Sequence, residues 1–152
     1  SVLAVGVRMT FVVPFDGSTR TVTALERARE FAKALGEELR VVSVIPWNNA
    51  AYARERGWLP AGEPFDPRTV LSTLEAQVDD IAPEASFDYE RCSRSVTANR
   101  IAKPIRKFAK RNDADMVFIG SDNAGRLLTT AANVGGRIAT DGAYDVVLVR
   151  SE

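Results

Sequence analysis

The chain has 152 residues, of which 45% are apolar, and its 20 Lys and Arg residues balance 20 Asp and Glu residues. This length predicts one globular domain, and the balanced charge favours neither nucleic acid nor an anionic membrane as a partner. Because the sequence has no histidine and a single cysteine, Cys92, it excludes imidazole-based catalysis, thiolate metal clusters and internal disulfides.

The longest apolar candidate for a membrane or targeting segment lies at the N-terminus, over residues 1–14. It is too short to span a bilayer and is interrupted by Arg8, so we expect no membrane partner. We predict a single domain over residues 9–152, with residues 1–8 as an N-terminal extension.

The first part of the domain alternates between strand and helix patterns. A compact apolar run over residues 9–13 predicts a buried strand. Residues 18–35 carry an apolar stripe at helical spacing, with Ser18 as the N-cap and Gly36 as the end of the helix. A second apolar run, 39–45, predicts the second strand.

The middle of the chain begins with a long irregular connection over residues 47–63, which contains Asn, Gly and Pro. One helical turn is predicted within it, over residues 52–58. Asp66 and Pro67 are a typical start for the next helix, which Pro83 ends. The alternating run 86–94 predicts a strand at the edge of a sheet.

In the last part, an apolar stripe over residues 101–109 predicts a third helix that is opened or kinked at Pro104. An apolar run at 116–119 predicts the fourth strand. A short helix is predicted near 134–140, and the run 144–149 predicts the last strand.

This order of elements predicts an α/β fold: a three-layer sandwich in which a five-stranded, mostly parallel sheet has helices on both faces. In such sheets a crevice opens at the carboxyl ends of the strands, where the winding direction reverses. We therefore expect functional residues to follow strands rather than to precede them.

Two loops fit that expectation, provided that the first and fourth strands are neighbours. Asp16 follows the first strand, while Gly120 and Gly125 lie in the loop after the fourth. Glycines allow backbone N–H groups to approach an anion, so an acid facing them predicts a mononucleotide site. The alternative is that Asp16 belongs to an ordinary strand-to-helix turn and Gly120 to a tight bend.

Two segments resemble the universal stress protein family: VVPFDGS at residues 12–18 and ADMVFIGSDNAGRLLTTAANVGGRIATDGAYDVVLVR at residues 114–150. The resemblance implies a five-stranded sheet like that of the adenine nucleotide α-hydrolases. It also implies a cytoplasmic stress-response protein that forms homodimers. One branch of the family binds ATP, so the implied cofactor is ATP or another adenine nucleotide, or none.

By this resemblance, Asp16 contacts the nucleoside, Pro14 precedes it, and Val44 lies where the second strand meets adenine. The ATP-binding branch then has Gly, two residues, Gly, nine residues, and Gly followed by Ser or Thr. Gly120 matches the first glycine, but Asn123 occupies the second position.

The end of that motif is also altered. One register places Asn133 and Val134 at the final pair, another places Ala132 and Asn133 there, and a third starts from Gly125. In the first two registers the closing Gly-Ser is missing, although the Asn133 amide could replace the lost hydroxyl. The sequence therefore predicts a degenerate adenine nucleotide crevice with weak binding. The alternative is an ATP-binding member that hydrolyses ATP slowly.

The last strand, Tyr144–Val149, is apolar on both faces, and an exposed apolar edge favours pairing with another copy of the chain. The family resemblance implies the same contact, so we predict a homodimer through this strand. No pair of residues forms a credible nucleophile and base, which favours a regulatory binding domain over an enzyme.

Overall fold

Strands and helices alternate along most of the chain in a computed structural model that describes residues 8–121, 138 and 142–150. The described elements are β1 (Thr10–Pro14), α1 (Thr19–Leu35), β2 (Glu38–Pro46), α2 (Ala50–Glu55), α3 (Pro67–Ile81), β3 (Ser86–Cys92), α4 (Ala98–Arg111), β4 (Met116–Ser121) and β5 (Asp145–Arg150).

The five strands form one sheet in the order β3-β2-β1-β4-β5, and all four neighbouring pairs are parallel. The predicted neighbours, the first and fourth strands, are adjacent, with Phe11 opposite Met116 and Val12 opposite Val117. The winding direction reverses at β1, because β2 lies on one side of it and β4 on the other. The crevice of such a sheet is expected at this point.

Helices cover both faces of the sheet, so the predicted three-layer arrangement is confirmed. On one face, α1 and α3 pack against inward-pointing residues of the central strands, including Phe11 and Phe118. On the other face, α4 and Ile138 pack against a second buried cluster that contains Val12 and Val117. Consecutive residues of β1 thus enter opposite cores, as the period of a strand requires.

The predicted helix ends are also confirmed. The Ser18 side chain caps α1 by accepting from the Thr21 amide, and Gly36 ends that helix at a φ of 71°. Asp66 caps α3, with Pro67 in its first turn. Glycine suits the left-handed position after α1 because it has no Cβ.

Two boundaries differ from the sequence-based prediction. The fourth helix begins at Ala98, six residues before Pro104, because the Thr97 side chain caps it by accepting from the Arg100 amide. Proline therefore lies inside the helix and does not open it. The helix in the long connection is α2, which begins at Ala50 after the cap Asn49.

The predicted strands near 86–94 and 144–149 correspond to β3 and β5, which lie at the two edges of the sheet. The short helix predicted near 134–140 falls outside the described residues except for Ile138, which is helical and buried. Across the described ranges, none of the helices has the length and apolar character needed to cross a bilayer.

Candidate functional site

A cavity of about 390 Å³ opens beside the carboxyl ends of β1, β2 and β4. The first turn of α1 and the start of α4 complete its walls. Its position follows from the topology, because parallel strands all direct their carboxyl ends to the same side of the sheet.

Asp16 occupies the turn between β1 and α1, and its side chain is fixed by the start of the helix. Its Oδ1 accepts from the Ser18 amide at 2.8 Å and from the Thr21 hydroxyl at 3.0 Å. Gly17, between them, has a φ of 83°, which a residue with a side chain adopts at a cost. The sequence Asp-Gly-Ser thus directs the carboxylate toward the cavity that Asp16 lines.

Two buried side chains form hydrogen bonds to the backbone at and just before Asp16. Ser43, which is fully buried in β2, donates from its Oγ to the Phe15 carbonyl at 2.6 Å. The Trp58 indole donates from its Nε1 to the Asp16 carbonyl at 2.9 Å. Each bond supplies a donor to a backbone carbonyl that has to be satisfied. Together the two bonds therefore fix the path of the chain after β1.

Gly120, near the end of β4, lies directly against the first turn of α1. A Cβ at this position would stand 2.1 Å from the Arg20 carbonyl oxygen and 2.5 Å from its carbonyl carbon. Both are backbone atoms that cannot rotate away, so glycine is needed here for helix-to-strand packing. Close packing against α1 therefore explains why residue 120 is a glycine. The alternative given above was that Gly120 belongs to a tight bend.

The cavity has an apolar wall and a small charged part. Aliphatic side chains from β2, α4 and β4 form most of the wall: Val42, Val44, Ile101, Ile105 and Ile119. Within the described lining, the charged residues are Asp16, Arg20 and Arg56. The site therefore combines a surface suited to a flat apolar group with one carboxylate and two guanidinium groups.

Tyr52 and Arg56 come from α2 and the residue that caps it. The Arg56 guanidinium carbon lies 3.4 Å from the centroid of the Tyr52 ring, a cation–π contact. Burial raises the pKa of the Tyr52 hydroxyl, and the positive charge of Arg56 offsets part of this increase. Tyr52 therefore stays protonated and uncharged at neutral pH.

The aromatic residues of the long connection pack within the protein. Trp58 is 1% exposed and contacts Tyr52 edge to face, with ring centroids 5.6 Å apart. Trp47 packs against Phe65 and stacks on Tyr89 at the outer strand β3. The connection is thus attached to the body of the domain, and this attachment brings Tyr52 and Arg56 to the cavity.

Four of the seven candidate residues from the sequence come together around this cavity: Pro14, Asp16, Val44 and Gly120. The other three, Asn123, Gly125 and Asn133, lie outside the described residues. The geometry thus unites the strand ends as expected, while the loop after β4 is not part of the description.

Sequence reasoning missed five polar or charged residues of the described lining: Arg20, Thr21, Tyr52, Arg56 and Thr97. Four of them lie in the first turn or at the N-cap of the helix that follows a strand, whereas Arg56 lies just after α2. The rule that identified Asp16 would have found those four if it had been extended from the strand ends to the first helical turns.

Among the residues that the structure describes, no group of three or more Cys, Asp or Glu residues could hold a metal ion. Cys92, at the end of β3, has its pKa raised by burial, with a smaller opposing effect from Arg100. Such a thiol is a poor nucleophile at neutral pH.

Comparison with known proteins gives the same fold. The model of the universal stress protein family matches residues 8–150. Among curated proteins, none matches this chain.

Three solved structures illustrate the likeness, which at these identities concerns the fold alone. A universal stress protein crystallised with cAMP is 20% identical, with a TM-score of 0.57 over 95% of this chain and 98% of that one. A universal stress protein from Archaeoglobus fulgidus in complex with dAMP is 18% identical, with a TM-score of 0.57 over 93% and 98%. The universal stress protein UspA from Lactobacillus plantarum is 16% identical, with a TM-score of 0.57 over 95% and 100%. With the family model covering nearly the whole chain, this protein belongs to the universal stress protein family.

Proposed function

We propose that this chain is a cytoplasmic, homodimeric regulatory domain of the stress response whose crevice binds an adenine nucleotide weakly. One observation carries the nucleotide part of the proposal. The Asp16 carboxylate and an aliphatic wall that includes Val44 share a single cavity at the point where the sheet reverses its winding.

The chemistry of the cavity suits a nucleoside. A carboxylate accepts hydrogen bonds from neighbouring ribose hydroxyls, and aliphatic side chains such as Val44 and Ile119 pack against the faces of a base. The volume of about 390 Å³ lies near the lower end of ligand pockets, which span roughly 300–1,000 Å³. This size favours a mononucleotide over a dinucleotide.

Two of the structural neighbours were crystallised with adenine mononucleotides, cAMP in one and dAMP in the other. Their shared fold supports a ligand of this class in the present crevice. The alternative, a member that binds ATP and hydrolyses it slowly, needs the phosphate motif. In this sequence Asn123 replaces a glycine of that motif, and its closing Gly-Ser is absent in the registers that place Asn133 at its end.

Binding without turnover is favoured by the side chains around the cavity. Its described lining contains no cysteine and no histidine, and Oδ1 of Asp16 is engaged by Ser18 and Thr21. A carboxylate fixed in this way can still accept a hydrogen bond from a ligand hydroxyl through its second oxygen.

Calorimetric titration with adenosine, AMP, cAMP and ATP tests the proposal. We expect saturable binding of adenine ligands, weaker for ATP than in a member with the intact glycine motif. The variant Asp16→Ala should lose binding, whereas Asp79→Ala, an exposed acid of α3, should retain it. If millimolar concentrations of all four ligands give no heat, the nucleotide proposal is wrong.

The homodimer is supported by the place of β5 in the sheet. The strand lies at one edge, and Val146, Val147 and Leu148 are partly exposed in the single chain. Exposed apolar edge strands readily pair with a second chain.

A further inference from the structure

Two arginine side chains reach the cavity from different elements. Arg20 lies in the first turn of α1, and Arg56 is the residue that caps the end of α2. The sequence analysis assigned no role to either of them. Together with Asp16 they are the charged residues of the described lining, which therefore has an excess of one positive charge.

Arg56 is held in place before any ligand binds. Its guanidinium lies over the Tyr52 ring at 3.4 Å, and its Nη1 donates to the Tyr52 carbonyl at 3.4 Å. Tyr52 is itself fixed by its contact with the buried Trp58. A guanidinium has five N–H donors, so most of those of Arg56 remain available to a ligand after this one bond. Preorganisation of this kind lowers the entropy cost of binding.

Arg20 is placed beside the carboxyl end of β4. Its backbone carbonyl lies so close to Gly120 that a Cβ there would overlap it. Arg20 is exposed and is one of the residues that line the cavity. Its backbone is therefore fixed against β4, while its side chain is not buried.

Neither arginine is neutralised within the part of the chain that the structure describes. The ion pairs there join Arg29 with Glu84, Arg40 with Glu38, and Arg111 with Glu90. The acid of the cavity, Asp16, accepts hydrogen bonds at Oδ1 from Ser18 and Thr21. This carboxylate oxygen thus stabilises the turn and is not paired with an arginine. Two guanidinium groups without acidic partners favour an anion, and the planar fork of arginine matches the oxygens of a phosphate.

We propose that Arg20 and Arg56 together bind the phosphate group of the ligand, so that the cavity selects a phosphorylated nucleoside over the uncharged nucleoside. This inference rests on the proposed nucleotide crevice and adds the residues that determine its selectivity. In the bound state the ribose lies toward Asp16 and the phosphate toward the two arginines, because the carboxylate repels an anion.

Titration of the folded protein with adenosine and AMP separates the two proposals. At low salt we expect AMP to bind at least about tenfold more tightly than adenosine. The reason is that hydrogen bonds between the arginines and a charged phosphate are stronger than hydrogen bonds between neutral groups. The double variant Arg20→Gln/Arg56→Gln should remove this preference, so that the ratio of the AMP affinity to the adenosine affinity falls to about one. The matched control is Arg27→Gln/Arg68→Gln, which removes two exposed arginines outside the cavity and should keep the preference.

Salt provides a second measurement that needs no variant. The AMP affinity of the wild type should fall as ionic strength rises, whereas the adenosine affinity should stay nearly constant. Equal affinities for the two ligands, or a preference that survives in the Arg20/Arg56 variant, would overturn the arginine assignment while the nucleotide crevice stands. If neither ligand binds, both proposals fail.

Discussion

The indole of Trp58 donates a 2.9 Å hydrogen bond to the backbone carbonyl of Asp16, although the two residues are 42 positions apart in the chain. Trp58 is 1% exposed, whereas Asp16 is partly buried, so this bond lies at the inner side of the turn. It joins the long connection after β2 to the turn after β1. The position of the candidate nucleoside-binding acid thus depends on a residue of the connection.

The variant Trp58→Phe tests this dependence. Phenylalanine keeps an aromatic ring in the core but leaves the Asp16 carbonyl without its donor. Because the variant loses one partly buried hydrogen bond, we expect the free energy of unfolding to fall by about 1 kcal/mol. Adenosine should also bind more weakly. Urea unfolding and calorimetry are the measurements.

Trp47→Phe is the matched control for that variant. Trp47 packs its ring against Phe65 and Tyr89, and its indole N–H has no hydrogen bond to another described residue. This variant loses ring volume without losing a hydrogen bond. Equal losses of stability in the two variants would show that the bond to Asp16 contributes little.

A second prediction concerns the contact between α1 and β4. In Gly120→Ala the new methyl group would overlap the Arg20 backbone, so helix and strand must move apart. Overpacking of this kind typically costs about 1–3 kcal/mol, which we expect as a lower unfolding midpoint in urea.

Gly142→Ala is the control for Gly120→Ala, because a Cβ at Gly142 has no neighbour within 4 Å among the described atoms. Its stability should stay within about 0.5 kcal/mol of the wild type. If Gly120→Ala is equally harmless, the close packing of β4 on α1 is not as the structure has it.

The thiol of Cys92 gives a prediction for pH. Burial raises its pKa in the folded protein, so the protonated form is favoured. Its contribution to stability is fully present below the pKa of the unfolded chain and is lost as pH rises through the folded value. Alkylation by iodoacetamide should therefore have its midpoint at a higher pH in native protein than in guanidinium.

The comparison with unfolded protein controls for the intrinsic reactivity of the Cys92 thiol. The variant Cys92→Ala is the control for the loss of stability at alkaline pH. That variant should show a smaller decline of stability at alkaline pH than the wild type. A native midpoint at or below the unfolded one would mean that the charge of Arg100 outweighs burial at this thiol.

The proposed dimer predicts a difference between the two edges of the sheet. Val147→Arg adds a charge to the partly exposed edge strand β5, whereas Tyr89→Arg adds one to β3 at the opposite edge. Sedimentation velocity at micromolar concentration should show a dimer for the wild type and for Tyr89→Arg. For Val147→Arg we expect a dissociation constant at least about tenfold higher, because a charge buried in an interface must be desolvated.

A wild-type protein that sediments only as a monomer contradicts the dimer altogether. Dissociation by Tyr89→Arg alone would instead place the contact at β3.

The sequence by itself determined the order of elements, the sheet and most helix ends, because these depend on local patterns. Apolar runs identified β1 and β2, and Ser18 and Gly36 marked the ends of α1 through hydrogen bonds made within a few residues. The adjacency of the first and fourth strands was a condition of the predicted site, and the sheet order meets it.

Only the tertiary structure decided which side chains share the cavity and why Gly120 is a glycine. Arg56 reaches the cavity because the long connection packs through Trp58, and Gly120 contacts a helix far away in sequence. Such contacts join residues that are tens of positions apart in the chain. A short-range pattern in the sequence cannot predict them. The physical reason is that packing and buried hydrogen bonds depend on distances in space, which the chain sets only once it has folded.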